Sequence, residues 1–270
     1  MIAADGVSSP LKTASRTQGG TVDSQAESGA HRIGGIRYRA GDVLRMSCPF
    51  TEVTVTGVSR FHVAVRWPWW ETDAAADGIE WNGDVALPTS ADHDRESEYF
   101  RTRPAEDTLK AGDRCLVGIP PTVVHVLAVR RFDPPLETGW LPRPATYLDV
   151  LRQGESHDAR LEEQGYEIDP AGGVPFRLEL LFRPFAFLES GDEVVDRDGR
   201  AWRFDAPWGW NAFDGGQPSA PSWPLALLFR NGEPMPEAVA AVAEATSTGS
   251  HADEVNRWVE LTRVEPVTPA

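Results

Sequence analysis

Prolines and glycines punctuate this chain so often that long helices have little room. There are 22 prolines and 24 glycines among 270 residues. Proline breaks a helix interior and glycine disfavours it, so turns must be frequent. Between the turns the chain alternates apolar and polar side chains, as strands do. Residues 36–43 and 52–67 follow this pattern, with β-branched Val53, Val55, Val63 and Val65 and with Phe61 in the same run. A mainly β protein of the α+β class is expected.

Three segments share one order of features. Each opens on Gly-Asp: Gly41-Asp42, Gly112-Asp113 and Gly191-Asp192. The first leads to Trp67-Pro68-Trp69-Trp70, the second to Pro134, Pro135 and Trp140, and the third to Pro207-Trp208-Gly209-Trp210. Each reads as a Gly-Asp turn, a strand, a turn, an apolar strand and a Pro/Trp bend. Within the third, Asp198-Gly199 predicts a two-residue type I′ hairpin, because both residues tolerate positive φ. Short helices are expected at 145–151 and at 156–164, the latter capped by Ser156 and closed by Gly165. Another is expected at 236–245, with proline in its first turn. Residues 257–264 are expected as a last strand, in preference to a helix capped by Ser250 and Asp253.

The expected architecture is therefore tandem small bent sheets or SH3-like barrel units related by internal repeat, with a short helical insertion and one C-terminal helix. Residues 1–30 form a flexible tail in this reading, since they offer too little apolar surface to offset the entropy of ordering. Residues 31–144 hold a β domain with two Gly-Asp units. Residues 145–174 are the helical insertion, and 175–270 hold the third unit and the C-terminal helix.

Charge narrows the partners. Formal net charge is -15, from 41 acidic and 26 basic side chains. Such a field repels nucleic acid and anionic membranes, and it suits either solubility alone or a basic protein partner. Lys12 and Lys110 are the only lysines, an arginine bias typical of GC-rich bacterial genomes. Two cysteines, Cys48 and Cys115, cannot build a disulfide framework or a four-thiolate zinc site. No membrane span or signal peptide is read from the sequence, so a cytoplasmic protein is expected.

Eight of the ten tryptophans fall into two groups: Trp67, Trp69, Trp70 and Trp81, then Trp202, Trp208, Trp210 and Trp223. The plain explanation is core packing, since indoles bury much area at low entropic cost. Trp69 and Trp70 are adjacent, however, and in an extended segment they point to opposite faces. Only one can enter the core; the other must cover a neighbour or meet a partner. The two Pro/Trp bends are expected to lie close together. Residues 71–98 then carry nine carboxylates against Arg95 alone, which is either a solvated loop or a docking face. The expected binding residues are Trp69, Trp70, Trp208 and Trp210 as anchors, with Glu71, Asp73, Asp77 and Asp84 for steering.

Catalytic motifs are missing from the sequence: no Gly-x-Ser-x-Gly elbow, dinucleotide fingerprint or phosphate loop occurs. His62 and His125 sit within apolar strand-like runs, where a hydrogen-bonded structural role is the ordinary one. Asp92-His93-Asp94 and His157-Asp158 lack companions at metal-ligand spacing, so no metal or cofactor is expected. The favoured expectation is a non-enzymatic, immunity- or adaptor-like binding protein. The alternative is an enzyme acting on a small organic substrate in a Trp-lined cleft between the β units, with carboxylate or histidine acid–base groups.

Overall fold

Two long strands, β1 (Val43–Val58, 16 residues) and β5 (Arg114–Arg131, 18 residues), run antiparallel as the spine of the larger sheet. The computed structural model describes residues 37–69, 83–92, 98–134, 145–158, 160–161, 164–216 and 219–263. The tail expected at 1–30 lies outside them. On the β1 side the sheet continues through β2 (His62–Arg66) to β3 (Asp84–Pro88); on the β5 side it continues through β6 (Thr146–Arg152) to β7 (Tyr166–Ile168). Two more strands flank the spine: β4 (Arg101–Arg103) pairs with β5, and β8 (Arg177–Phe182) pairs with β1.

Prolines and one glycine bend this spine. The β1–β5 register slips between Met46 and Cys48 and again between Cys48 and Thr51. Pro49 on β1 and Pro120 and Pro121 on β5 lie in this region, and proline cannot donate to the ladder. Gly118 lets the strands approach, since a Cβ there would lie 2.8 Å from the Phe50 Cα. Each long strand therefore turns midway and serves different neighbours with its two halves. β1 takes β8 alongside Val43–Ser47 and β2 alongside Val55–Val58. The result is a curled half-barrel filled by Leu44, Met46, Val63, Val65, Phe100, Val117, Leu148 and Ile168, among others.

The second sheet has four strands: β9 (Glu193–Val195), β10 (Ala201–Asp205), β11 (Gly209–Ala212) and β12 (Ala226–Phe229), in the order β11-β10-β9-β12. Helix α1 (Pro236–Ala245) packs on β12. Phe185, Leu188, Val194, Trp202, Phe204, Leu225, Leu227 and Val242 form a second buried core. A second helix, α2 (His251–Thr262), contacts β1 and β5 of the half-barrel. The protein is thus mainly β, with two sheets, one of them a curled half-barrel, and two helices.

Three local expectations change. Residues 146–152 form strand β6, with Leu148 and Val150 buried and Tyr147 and Asp149 less so; Thr146, Tyr147 and Val150 suit a pleated, half-buried surface. No helix occurs between 145 and 174 among the described residues, so the expected helical insertion is replaced by strands β6 and β7 of the large sheet. Residues 257–262 are helical. The Ser250 hydroxyl accepts the Asp253 N–H at 3.3 Å and donates to its carboxylate at 2.8 Å. His251, Val255, Trp258 and Thr262 then share one inward stripe at helical spacing. There are accordingly two C-terminal helices in place of one.

The hairpin at Asp198-Gly199 forms, but with a different turn. Gly199 has φ +84°, whereas Asp198 is not left-handed. Gly199 donates to the Asp196 carbonyl, and Asp196 donates to the Arg200 carbonyl, giving a type I turn followed by a left-handed glycine. The Asp196 carboxylate explains the choice: it accepts the N–H groups of Asp198 and Arg200 and the indole N–H of Trp202, at 2.9–3.0 Å.

The three Gly-Asp turns share one geometry. Gly41, Gly112 and Gly191 have φ of +85°, +91° and +94°, a conformation open to glycine. In each turn the aspartate N–H bonds to the carbonyl three residues back, at Arg39, Lys110 or Glu189. Its carboxylate accepts that same residue's N–H at 2.8–3.0 Å. The glycine N–H then bonds a carbonyl on a neighbouring strand at 2.8 Å: Val126, Val55 and Phe204 respectively. The settings differ. The first turn closes on β5 and the second on β1, so these two seal each other's strand. The third closes on β10 within its own hairpin.

Candidate functional site: two aromatic clusters and their charged anchors

The first Pro/Trp bend follows β2. Trp67 donates its backbone N–H to Gly83 at 2.8 Å, continuing the β2–β3 ladder in which Arg66 faces Asp84. Its ring is 7% exposed and meets Trp69 and Phe100 edge-on, with centroids 4.9 and 4.8 Å away. Trp69 is half-buried on the outside of this stack, 5.8 Å from Phe100. Asp84 lies at the same end of the ladder, with Arg66 Nε 3.1 Å from its Oδ1. Of the expected site, the structure thus brings Trp69 and Asp84 to one end of the half-barrel. Trp70, Glu71, Asp73 and Asp77 lie outside the described residues.

The second bend belongs to the other core. Trp210 opposes Phe204 across the β10–β11 pair, with centroids 4.9 Å apart, and meets Phe185 at 5.7 Å and 90°. Trp208 lies 5.9 Å from Phe185 and 5.6 Å from Trp258 of α2. Gly209 between them is required, because a Cβ would meet the Asp205 carbonyl oxygen at 2.7 Å. The expected convergence of the two bends is not found: Trp67 and Trp69 pack in the half-barrel core, and Trp208 and Trp210 in the core of the small sheet. The first bend packs back onto its own sheet, whereas the second packs on Phe185 and α2, with Pro207 against Gly41.

Two buried ion pairs anchor the Gly-Asp turns. Asp42, fully buried, receives Arg183 Nε and Nη2 at 2.7 Å each. Asp192, 1% exposed, receives Arg230 Nη2 at 2.7 Å and Nε at 3.0 Å. Arg183 directly follows β8, and Arg230 directly follows β12. The same run, Leu-Leu-Phe-Arg, occupies 180–183 and 227–230. Phe182 pairs with Val43 and Phe229 with Glu193, so each arginine is delivered next to the aspartate before the facing strand. That tetrapeptide was the available signal for both pairs, and sequence reasoning missed it. Asp113 of the second turn is exposed. Arg39 adds to the first anchor by donating to the carbonyls of Leu188 and Phe185 at 2.6 and 3.1 Å. Burial and the neighbouring Arg183 push its guanidinium down to about 10, which leaves it charged at neutral pH.

The groups with chemical potential are mostly committed elsewhere. His62 Nε2 lies 2.9 Å from Asp92 Oδ2 on an open surface. Ser59, close in sequence, uses its hydroxyl on the backbone of Phe61 and His62, so serine, histidine and aspartate form no relay. The Cys48 thiol is buried, and burial pushes it up to about 12; burial also raises Cys115. His125, 3% exposed, stands edge-on to Trp258 at 5.1 Å. His157 and Asp158 are described and gather no third ligand. Among the described residues no group of three His, Cys, Asp or Glu side chains could hold a metal ion. None of the described helices is long and apolar enough to cross a membrane. His93 and Asp94 lie outside the described residues.

Sequence reasoning also passed over Phe185, His251 and Trp258. Phe185 is fully buried at φ +48° and touches Phe187, Phe204, Trp208, Trp210 and His251. No pattern in the sequence marks a left-handed phenylalanine. No protein-family model, no curated protein and no solved structure matches this chain.

Proposed function

We propose that the protein is a non-enzymatic, cytoplasmic binding protein, immunity- or adaptor-like, that takes a basic protein partner at the Trp69 end of the half-barrel. The observation that carries this reading is the half-buried Trp69 ring, outermost on the Trp67–Phe100 stack and beside the end of the β2–β3 ladder. Immediately after it the sequence turns acidic, with Glu71, Asp73 and Asp77. A rigid indole held by a packed neighbour is the usual anchor of an interface, and carboxylates around it accelerate encounter with a basic surface. Asp84 is held by Arg66 and contributes to that field less than an unpaired carboxylate would. Trp208 and Trp210, occupied with Phe185 and Trp258, are secondary candidates. Reduced, buried Cys48 and Cys115 support the cytoplasmic setting.

The test is affinity capture with the wild-type chain and with a Trp69→Ala, Asp73→Arg variant, followed by binding kinetics on the partner recovered. We expect a basic partner whose affinity falls at least about 30-fold in the variant, as for a hot spot, and whose association slows with salt. Recovery of the same partners at the same affinity by both chains would overturn the proposal.

The alternative, an acid–base enzyme on a small organic substrate, is favoured by the 2.9 Å His62–Asp92 contact; turnover abolished by His62→Ala would carry it. The relation of the units by internal repeat, with an SH3-like shape, is part of the same proposal. It is supported by the Gly-Asp turn and Leu-Leu-Phe-Arg run recurring in both sheets.

A further inference from the structure

Helix α2 bridges the two cores beside Arg39, whose guanidinium also crosses to the Leu188 and Phe185 carbonyls, and α2 does so through few bonds. Trp258 Nε1 donates to the Gly41 carbonyl at 2.9 Å. Gly154 N–H donates to the Thr262 carbonyl at 2.7 Å, and Gln153 Nε2 reaches the carbonyls of Leu261 and Arg263. On the small-sheet side the Glu254 carboxylate accepts the Phe185 N–H at 3.0 Å. Phe185 holds a left-handed backbone that costs a bulky residue on the order of 1–3 kcal/mol, so its position depends on such neighbours.

One histidine sits under this helix and another opens it. His125 of β5 lies against the Trp258 ring, and its Nδ1 is buried without a hydrogen-bond partner. His251, the first residue of α2, is stacked on Phe185 with centroids 5.3 Å apart and 22° between planes. Its Nδ1 is likewise buried without a partner. Neither site is built for an imidazolium, which requires both ring nitrogens to donate. His251 also occupies the positive end of the helix dipole.

We propose that α2 is an acid-released latch: protonation of His125 and His251 lifts the helix off the junction and uncovers Phe185, Trp208 and Trp258. The charged surroundings leave burial in control. Facing His125 are Glu155 and His157 from the segment after β6, which act in opposite directions, while Asp42 at the start of β1 is already held by Arg183. At His251 burial acts without a charged neighbour, and the carboxylates of the first turn of α2 are already engaged. Asp253 is bonded to Ser250 and Glu254 to Phe185, and Phe185 and Trp210 supply only aromatic surface. Burial lowers both imidazoles below the ordinary histidine value. A histidine with a depressed pKa in the closed state contributes its full stability above the open-state value of about 6.5, and that contribution is lost as pH falls from there through the closed-state value.

The experiment follows hydrogen exchange at the Trp258 indole N–H in the full chain from pH 7.5 to 5.0, corrected for intrinsic exchange and referenced to the Val124 amide of β5. With two protons taken up on opening, the ratio should rise by up to about a hundredfold per pH unit below pH ~6.5. The variant His125→Gln, His251→Gln should show a flat ratio. As a second measurement that needs no variant, both histidine rings should titrate below ~6.5 in the closed protein by NMR. A flat wild-type ratio, the same acceleration in the variant, or rings that titrate at the ordinary value would each overturn the latch.

Discussion

At the first Pro/Trp bend, Trp67 sinks into the half-barrel and Trp69 caps it; at the second, Trp208 and Trp210 both stay half-buried and lean on Phe185 and α2. The same residue types therefore do different physical work. In the first bend the indoles complete a core belonging to one sheet. In the second they are shared between a sheet, a linker and a helix, so their packing depends on a docking that can open. Burial of a ring says how much it stabilises; the identity of its neighbours says what moves when it is lost.

Replacing Trp67 by alanine should give the largest effect. Removing so buried a ring should cost about 3–5 kcal/mol, read as a lower urea midpoint for the whole protein. A cost under about 1 kcal/mol would break the contrast, because Trp67 would then not be a core residue.

Asp42→Ala should come next. It removes a fully buried carboxylate and leaves Arg183, 19% exposed, without that partner, so the cost should fall toward the lower end of the about 3–5 kcal/mol typical of a broken buried pair. Asp113→Ala, in a turn of the same geometry at the surface, should cost about 1 kcal/mol or less. Chemical denaturation of the two variants side by side isolates the contribution of burial from that of the turn.

Trp208→Ala should cost only about 1–2 kcal/mol, in keeping with a half-buried ring. Its signature should be local, with faster exchange at the Trp258 indole N–H and β1–β5 amides unchanged. A global loss as large as that for Trp67→Ala would show the second bend to be as closed as the first.

The smallest effect concerns strong acid. Burial alone would raise the Asp196 carboxyl, but hydrogen bonds from the Arg200 N–H, the Trp202 indole, Ser222 and Asp198 hold it below the ordinary aspartate value. Its contribution is complete above the unfolded value of about 3.9 and disappears as pH falls through the lower folded value. Near-ultraviolet circular dichroism of the small-sheet tryptophans should weaken there, and Asp196→Asn should remove that pH dependence.

Much of the mainly β reading was legible because valine alternation and Gly-Asp turns are local signals. The Gly-Asp turn is also self-contained, its aspartate bonding three residues back, and this is why it could be spotted three times. The alternation through Val63 and Val65 was read as a strand, and both valines of β2 are buried. What depends on distant partners was not legible. The stretch 145–151 reads as a short helix until β5 and β7 are placed on either side of it. Residues 257–262 alternate well enough for a strand, and only the Ser250 cap together with a 3–4 spacing reveals the helix. The adjacency of Trp69 and Trp70 flagged a ring at a boundary without saying which of the two it would be. The separation of Trp69 from Trp208 was hidden, since nothing in either phrase specifies which sheet it will fold back upon.

The mutual sealing of β1 and β5 has a consequence for biosynthesis. The turn before β1 is satisfied by Val126, and its aspartate and its glycine carbonyl are satisfied by Arg183 and Trp258. During synthesis, therefore, the turn before β1 cannot complete its bonds until residues as far as Trp258 have been translated.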